Sequence, residues 1–322
     1  MNKREAHRLH EKLSHLDSVC IVSHAHPDGD SLGSLLGLAA LIENHYHCRV
    51  ERVLSDSTPT RYAFMDTSKA VPYETCLEKT YDACILVDCS DENRLDDAKA
   101  LLKQADSLIN IDHHRSNESF GQINLVEGDC SSTGELIYQL AKYLDWQLDS
   151  EIASNLYVAI ATDTGSFQYS NTTQRTHLAT AELLSHPFEV DLVRERLFQS
   201  EPLNKAKLFI TLVQSITFSS DGQVGGCSVS QKDLNQFQAS YEDLDGVVEF
   251  IRNIETIRIS YLIKEVGSNE FRASLRSKPP TRVDKIAHQF GGGGHAYAAG
   301  LSFSGSLKQF QDQLIRACEE AI

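Results

Sequence analysis

Short apolar segments that each end in an acidic or imidazole side chain most constrain the fold of the first 115 residues. Residues 18–24, 82–88 and 107–112 are apolar or β-branched and have the length of buried strands. Helix-like segments, such as residues 30–44 and 94–104, lie between them. Strands joined by helical crossovers form parallel sheets with helices on both faces. The sequence therefore predicts an α/β fold with a mainly parallel sheet.

The remainder of the chain predicts a helical region followed by a second, smaller α/β unit. Helical periodicity is found at residues 133–144, 150–161, 173–185, 190–198 and 204–213. Asp221-Gly222 then marks a hairpin turn. Two further strands are predicted at 256–265 and 270–276, and a last helix at 306–320.

Two prolines, Pro187 and Pro202, indicate where one domain gives way to the next. We predict an N-terminal domain at 1–187, a helical linker at 188–210 and a C-terminal domain at 211–322. A cleft is expected between the two domains.

Charge and composition exclude several classes of protein. The chain carries 30 Lys and Arg against 45 Asp and Glu, a formal net charge of −15. Such a field argues against a protein that coats long duplex nucleic acid or an anionic membrane. No apolar stretch is long enough to span a bilayer, and the charged N-terminus lacks the apolar region of a signal peptide. The eight cysteines contain no C-x-x-C pair. We therefore expect a cytoplasmic protein without a disulfide framework or a zinc finger.

Acidic and imidazole groups follow the predicted strands in four separate places. They are His24, Asp28 and Asp30 after the first strand, Asp88 after the second, Asp112, His113 and His114 after the third, and Asp163 at the end of a helix. Because the carboxyl ends of parallel strands meet at one edge, these groups are expected to converge. A single Asp after a strand is more often a helix cap or a turn former. Four such clusters make independent capping a poor explanation.

Carboxylates held this close together repel one another unless a cation lies between them. A set of Asp and His ligands without thiolates suits Mn²⁺, with Fe²⁺, Co²⁺ or Mg²⁺ as weaker candidates. The carboxylates suffice for two ions that share a bridging ligand, an arrangement used for in-line phosphoryl displacement.

A run of four glycines before His295 is the second unusual feature. Glycine lets successive backbone N–H groups approach a phosphate closely, although a flexible linker is the simpler explanation. Arg276, Lys278 and Arg282 lie nearby in the sequence of an acidic protein, and they favour an anion-binding role. An ordinary solvated strand end is the alternative.

Together these residues resemble a known family. The clusters at His24, Asp88, Asp112-His113-His114 and Asp163 resemble the four motifs of the DHH phosphoesterase superfamily. The glycine run with His295, and Ala298-Ala299-Gly300, resemble its DHHA1 C-terminal domain. The resemblance covers essentially the whole chain and favours the bacterial NrnA group, the nanoRNase/pAp-phosphatase enzymes.

This resemblance implies a role for each residue. One metal would be bound by His24, Asp28 and Asp88, and the second by Asp30, Asp88, His113 and Asp163, with Asp88 bridging. His114 would face the substrate, and Asp112 would orient an imidazole. Substrate binding would fall to Arg276, Ser277, Lys278, Gly292, Gly293, Gly294 and His295.

The resemblance also implies a function. It is a phosphoesterase dependent on two Mn²⁺ ions, or on Mg²⁺ or Co²⁺, that hydrolyses oligoribonucleotides of a few nucleotides and linear dinucleotides such as pApA or pGpG to 5′-mononucleotides. The enzyme would also convert pAp to AMP, act as a homodimer and bind neither long duplexes nor membranes. The alternatives are a manganese inorganic pyrophosphatase, a RecJ-like exonuclease on long single strands, and a nucleotide-binding regulator without catalysis.

Overall fold

A parallel sheet of six strands forms the centre of the first unit, Met1–Ser200, in the computed structural model, which describes all 322 residues. The strands are β1 (Ser18–Ser23), β2 (Arg49–Leu54), β3 (Ala70–Pro72), β4 (Ala83–Val87), β5 (Leu108–Asp112) and β6 (Ile123–Val126). Their order across the sheet is β3-β2-β1-β4-β5-β6, and every neighbouring pair is parallel. The predicted α/β class is confirmed. The strand order reverses between β1 and β4, which is where such sheets bind ligands.

Six α-helices and three 3₁₀ helices complete this unit. The α-helices are α1 (Lys3–Leu13), α2 (Gly29–His45), α3 (Thr133–Tyr143), α4 (Ser150–Asp163), α5 (Gln174–Leu183) and α6 (Val190–Phe198). The 3₁₀ helices are Thr60–Tyr62, Tyr73–Cys76 and Glu92–Gln104. The helix predicted at 94–104 lies within the last of these and is a 3₁₀ helix rather than an α-helix. Asp96, at φ 47° and ψ −129°, has a non-helical backbone and places a kink inside this segment.

Helix α2 is buried over nearly its whole length because it packs against both the sheet and α4. Glycines permit the close approach of α4. A Cβ on Gly33 would lie 2.4 Å from the Asn155 carbonyl oxygen, and one on Gly37 would lie 2.8 Å from Leu156 Cδ2. This packing fixes both ends of α2 relative to α4, and both helices carry predicted ligands at their ends.

The second unit, Glu201–Ile322, contains a mixed sheet. Its strands are β7 (Thr217–Phe218), β8 (Val224–Val229), β9 (Ile259–Gly267), β10 (Glu270–Ser277), β11 (Gly293–His295) and β12 (Ala298–Ser304). Their order is β11-β12-β10-β9-β8-β7, and only β8 and β9 are parallel. The helices are α7 (Leu203–Gln214), α8 (Gln231–Phe237), the 3₁₀ helix Glu242–Leu244, α9 (Val247–Asn253), α10 (Asp284–Gln289) and α11 (Leu307–Glu319). The hairpin predicted at Asp221-Gly222 joins β7 to β8.

The chain passes from one unit to the other between Ser200 and Glu201. Helix α6 belongs to the first unit and α7 to the second, so the predicted linker at 188–210 is divided between them. Its role as a linker, and the functional boundaries at 187 and 210, stay predictions. None of the helices combines the length and the apolar character needed to cross a membrane.

Enlarging Gly33 tests the packing of α2 on α4. We expect Gly33→Ala to lower the free energy of unfolding by about 1–3 kcal/mol, and Gly33→Val by more, because the added carbons meet backbone that cannot move aside. Trp146 is the only tryptophan and is buried in the first unit, so its fluorescence during urea unfolding reports on this unit. Two variants as stable as the original chain would contradict this packing.

Candidate metal centre

The six side chains predicted to bind metal come together at the carboxyl edge of the parallel sheet. His24 follows β1, Asp88 follows β4, His113 follows β5, Asp28 and Asp30 lie at the start of α2, and Asp163 ends α4. Their nitrogen and oxygen atoms form two groups, in each of which the candidate ligand atoms lie within 4.8 Å of one another. A third set of the same kind, Asp88, His113 and His114, shares one member with each of these groups. The residues predicted at the strand ends therefore lie together at one edge of the sheet.

The first group consists of His24, Asp28 and Asp88. His24 Nε2 lies 3.5 Å from Asp88 Oδ2 and 3.9 Å from Asp28 Oδ1. His24 Nδ1 lies 2.7 Å from the Ala25 carbonyl oxygen, which can only accept a hydrogen bond. Nδ1 therefore donates to this carbonyl, and Nε2 is the nitrogen that faces the carboxylates. This Nε2 is buried and has no hydrogen-bond partner, so the group fits a bound cation.

The second group consists of Asp30, His113 and Asp163. His113 Nε2 lies 3.7 Å from Asp30 Oδ2, 3.6 Å from Asp163 Oδ2 and 3.7 Å from Asp88 Oδ1. His113 Nδ1 is 3.3 Å from the Cys130 carbonyl oxygen, which again leaves Nε2 to face carboxylates. Asp88 presents one oxygen to each group, as a bridging ligand would.

Local sequence explains how the acidic residues reach this edge. Asp28 caps α2 and accepts a hydrogen bond from the Ser31 N–H, so the helix begins beside β1. Asp30 accepts from the N–H groups of Thr133 and Gly134 at 2.7 and 2.9 Å, at the start of α3. Asp88 has a φ of 57°, in the left-handed region that Asp and Asn tolerate best among residues with side chains.

Burial makes the negative charge of this cluster costly. It raises the pKa of Asp30, Asp88 and Asp163, and neighbouring carboxylates raise each pKa further. The charge of Asp88 raises the pKa of Asp30, and the charge of Asp28 raises the pKa of Asp88. A divalent cation would remove this penalty, and the absence of thiolates suits Mn²⁺ or Mg²⁺ better than Zn²⁺.

His114 lies beside the cluster but is held differently from the other two histidines. Its Nδ1 lies 2.7 Å from Asp112 Oδ1, while Asp88 Oδ1 is more distant at 3.6 Å. The hydrogen bond to Asp112 raises the pKa of His114. Burial acts to raise the pKa of Asp112, but hydrogen bonds from His114 and Asn117 outweigh it and lower that pKa. Asp112 therefore orients a partly exposed imidazole whose Nε2 is available to another partner.

The predicted substrate-binding side chains of β10 have partners within the second unit. Arg276 Nε lies 2.9 Å from Glu249 Oε1. Ser277 is buried, and its hydroxyl donates to the Thr281 carbonyl at 2.6 Å. Lys278 Nζ donates to main-chain carbonyls of the preceding helix end, the nearer being Ile254 at 2.7 Å. Arg276 and Ser277 point to opposite faces of the strand, so they do not share a surface.

The glycine run is only partly a loop, because β11 pairs with β12 over Gly293–His295. A Cβ on Gly292 would lie 2.3 Å from the Gly300 carbonyl oxygen, and one on Gly294 would lie 2.6 Å from that of Ala298. Close packing on β12 thus accounts for two of the glycines. Gly293 has no such restriction, since its nearest neighbour would be 3.9 Å away. Phosphate binding by this run, with the exposed His295, stays a prediction.

Three polar residues were missing from the predicted site. Thr133 Oγ1 donates to Asp88 Oδ1 at 3.0 Å, and Asn117 Nδ2 donates to Asp112 Oδ2 at 2.6 Å. Asn171 Nδ2 donates to Asp163 Oδ2 at 3.3 Å and to the Ser131 carbonyl oxygen at 2.9 Å. Two of the three gave a signal in the sequence: Asn117 lies a few residues after His114, and Thr133 belongs to the polar run 131–133 that begins a helix after the third cluster.

Comparison with known proteins identifies the family of the chain. Residues 18–160 match the DHH family, N-terminal domain, and residues 222–322 match the DHHA1 domain. The chain is 30% identical over 303 residues, 94% of each sequence, to the probable bifunctional oligoribonuclease and PAP phosphatase NrnA of Streptococcus mutans. It is 28% identical over 296 residues, 90% of each sequence, to the bifunctional oligoribonuclease and PAP phosphatase NrnA of Bacillus subtilis.

A solved structure shares the fold over nearly the whole length. The exopolyphosphatase-related protein from Bacteroides fragilis superposes with a TM-score of 0.89 at 24% identity, covering 99% of this chain and 96% of that one. The chain belongs to the DHH family of phosphoesterases and carries its DHHA1 domain.

Removing the charge of Asp88 is expected to stabilise the cation-free protein. Asp88→Asn suits the left-handed backbone and removes a buried carboxylate whose raised pKa makes ionisation unfavourable at neutral pH. We expect a higher melting temperature than that of the original chain in chelator, and no further increase with Mn²⁺. Asp112→Asn is the matched control. Its free energy of unfolding should fall by about 1–3 kcal/mol, because the ionised form of Asp112 is the one that the fold stabilises. Equal melting temperatures for the two variants would contradict this assignment.

The stability gained by Asp88→Asn should depend on pH. A raised folded-state pKa means that the ionised group destabilises the fold at neutral pH, and that protonation relieves this penalty as the pH falls. The difference in melting temperature between Asp88→Asn and the original chain should therefore shrink from about pH 7.5 to about pH 5.5. Melting curves in chelator across this range provide the measurement. A constant difference would show that charge is not the cause.

Proposed function

We propose that this chain hydrolyses short oligoribonucleotides, including linear dinucleotides such as pApA and pGpG, to 5′-mononucleotides and converts pAp to AMP. The observation that carries the proposal is that two ligand groups lie side by side with Asp88 between them, its Oδ2 3.5 Å from His24 Nε2 and its Oδ1 3.7 Å from His113 Nε2. The names of the relatives from Streptococcus mutans and Bacillus subtilis support the substrate class, because both are similar to this chain over nearly their full length.

Two Mn²⁺ ions are the proposed cofactor, with Mg²⁺ or Co²⁺ as substitutes. His24, Asp28 and Asp88 would hold one ion, and Asp30, Asp88, His113 and Asp163 the other. Bound there, the ions would lower the pKa of water and neutralise the charge that develops on a phosphoryl group during in-line displacement.

His114 is the side chain that we assign to the substrate itself. Its raised pKa favours the protonated ring, and Asp112 holds Nδ1, so Nε2–H is free to donate. A proton or hydrogen bond given from Nε2 to a phosphate or leaving oxygen would stabilise the departing group. Asp112, itself fixed by Asn117, keeps the ring in this orientation.

The second unit would bind a substrate phosphate through Arg276, Lys278, the glycines 292–294 and His295. A phosphate would compete with Glu249 for the Arg276 guanidinium, which can bind such an anion with two parallel hydrogen bonds. We assign Ser277 to holding the end of β10 through Thr281, because its hydroxyl is buried. A homodimer and a cytoplasmic location stay predictions.

Mononucleotide release from a panel of substrates tests the proposal. The panel contains pAp, a 5′-phosphorylated diribonucleotide, a short RNA, a long RNA and pyrophosphate, each with Mn²⁺ or with chelator. We expect metal-dependent release from pAp and the shortest RNAs, reduced about a hundredfold or more by Asp88→Asn. Arg276→Ala should raise KM for these substrates, whereas Arg272→Ala, on the same face of β10, should not.

Two results would contradict the proposal. Faster turnover of pyrophosphate than of any nucleotide would assign the chain to a different phosphoesterase reaction. Nucleotide binding without release under any metal would favour a regulator instead of an enzyme. Equal effects of Arg276→Ala and Arg272→Ala would remove Arg276 from the substrate site and leave the metal centre unaffected.

A further inference from the structure

One short segment of chain, residues 130–134, contacts two ligands of the second group directly and reaches the third, Asp163, through Asn171. The Cys130 carbonyl oxygen lies 3.3 Å from His113 Nδ1. The Ser131 carbonyl oxygen accepts from Asn171, the residue whose amide also bonds Asp163 Oδ2. Two N–H groups of the same segment donate to the two oxygens of Asp30. The segment thus orients an imidazole and two carboxylates that come from three different elements.

The first group depends on other parts of the fold. His24 is oriented by the carbonyl of its neighbour Ala25, and Asp28 by the N–H of Ser31 within the same connection between β1 and α2. Only the hydroxyl of Thr133, through Asp88, joins this group to the 130–134 segment. Apart from this one hydrogen bond to the shared Asp88, different hydrogen bonds orient the ligands of the two cation positions.

Glu135 is the side chain that fixes the 130–134 segment. It is completely buried, and its Oε2 accepts from the Ser131 N–H at 3.2 Å and from the Ser131 hydroxyl at 2.6 Å. The same oxygen accepts from Thr176 on α5 at 2.9 Å, while Oε1 accepts from Gln139 at 2.9 Å. Arg175 adds positive charge, with Nε 3.8 Å from Oε1. This carboxylate faces none of the candidate metal ligands, so its contacts serve the segment.

We propose that Glu135 is a positioning residue that sets the affinity of the second cation position, formed by Asp30, His113 and Asp163 together with the shared Asp88, and leaves the first position unchanged. This inference rests on the two-cation centre of the proposed function. Its physical basis is that a weakly held 130–134 segment lets three ligands move apart together, and loss of such supporting hydrogen bonds costs about 10–100-fold in metal affinity.

Calorimetric titration of the full-length, chelator-treated protein with Mn²⁺ tests this assignment. The original chain should bind two equivalents. Glu135→Gln should keep one at the original affinity and bind the other about tenfold or more weakly, as should Asp163→Asn, which removes a ligand of the second position directly. Electron paramagnetic resonance, with one Mn²⁺ added for each cation position, should show less of the spin-coupled Mn²⁺ pair in both variants than in the original chain.

Glu182→Gln is the matched control. Glu182 also joins α3 to α5, through Tyr138 and Lys142, but it does not contact the 130–134 segment. This variant should lose stability without losing either cation. Ser131→Ala removes one hydrogen bond to Glu135 and retains the carboxylate, so it should lower the affinity of the second position by a smaller factor. This variant replaces Glu135→Gln in the test if Glu135→Gln does not fold.

The outcomes separate this inference from the function on which it rests. Two equivalents bound by the original chain, with both positions weakened equally by Glu135→Gln or neither weakened, would overturn the positioning role and leave the two-cation centre standing. Fewer than two equivalents bound by the original chain would overturn both. A selective loss shared by Glu135→Gln and Asp163→Asn, but not by Glu182→Gln, is the expected result.

Discussion

Repulsion among buried carboxylates is the constraint around which the first unit is arranged. Asp30 and Asp88 are almost fully buried. Together with Asp163, each places a carboxylate oxygen 3.6–3.7 Å from His113 Nε2. The fold partly offsets their charge with donors, since the first N–H groups of α3 point at Asp30 and a threonine hydroxyl points at Asp88. The raised pKa of each acid shows that these donors are not sufficient alone. The unit thus gives up stability that a bound cation would restore.

Sheet topology explains why this cluster forms at one place. The chain leaves β1 toward one side of the sheet and leaves β4 toward the other, so a crevice opens between the carboxyl ends of these neighbours. His24 and Asp88 are the first residues beyond the two strands. Strand β5 lies directly beside β4 and delivers His113 to the same edge. The packing of α2 against α4, permitted by Gly33, then brings the two helix ends to this crevice.

The side chains at the ends of the strands could be predicted from the sequence, but the backbone groups that orient them could not. Apolar segments that end in Asp or His identify both the strands and their chemistry, because one rule of sheet geometry makes strand ends converge. The carbonyl of Cys130 and the N–H of Gly134 have no such signature, since every residue carries these groups. Their roles follow from the tertiary placement of α3.

In the second unit, the run of four glycines suggests a loop, but Gly293–His295 pairs with β12 as a strand. Strand β12 approaches this run so closely that glycine is the residue able to pair there. Tertiary pairing overrode the local preference of the sequence. Arg276 and Ser277 are consecutive in β10, and the alternation of a strand places their side chains on opposite faces. Substrate binding by these residues stays a prediction.

The partner of Nδ1 separates the chemistry of the three histidines. Backbone carbonyls face Nδ1 of His24 and His113, and a carbonyl can only accept. It therefore fixes Nδ1 as the donor and leaves Nε2 as the ring atom that faces the carboxylates and, in the proposed centre, would face a cation. A carboxylate faces Nδ1 of His114 and favours the protonated ring, which can donate from Nε2. Under the proposed function, the adjacent histidines of one motif would therefore have different roles because their hydrogen-bond acceptors differ in charge.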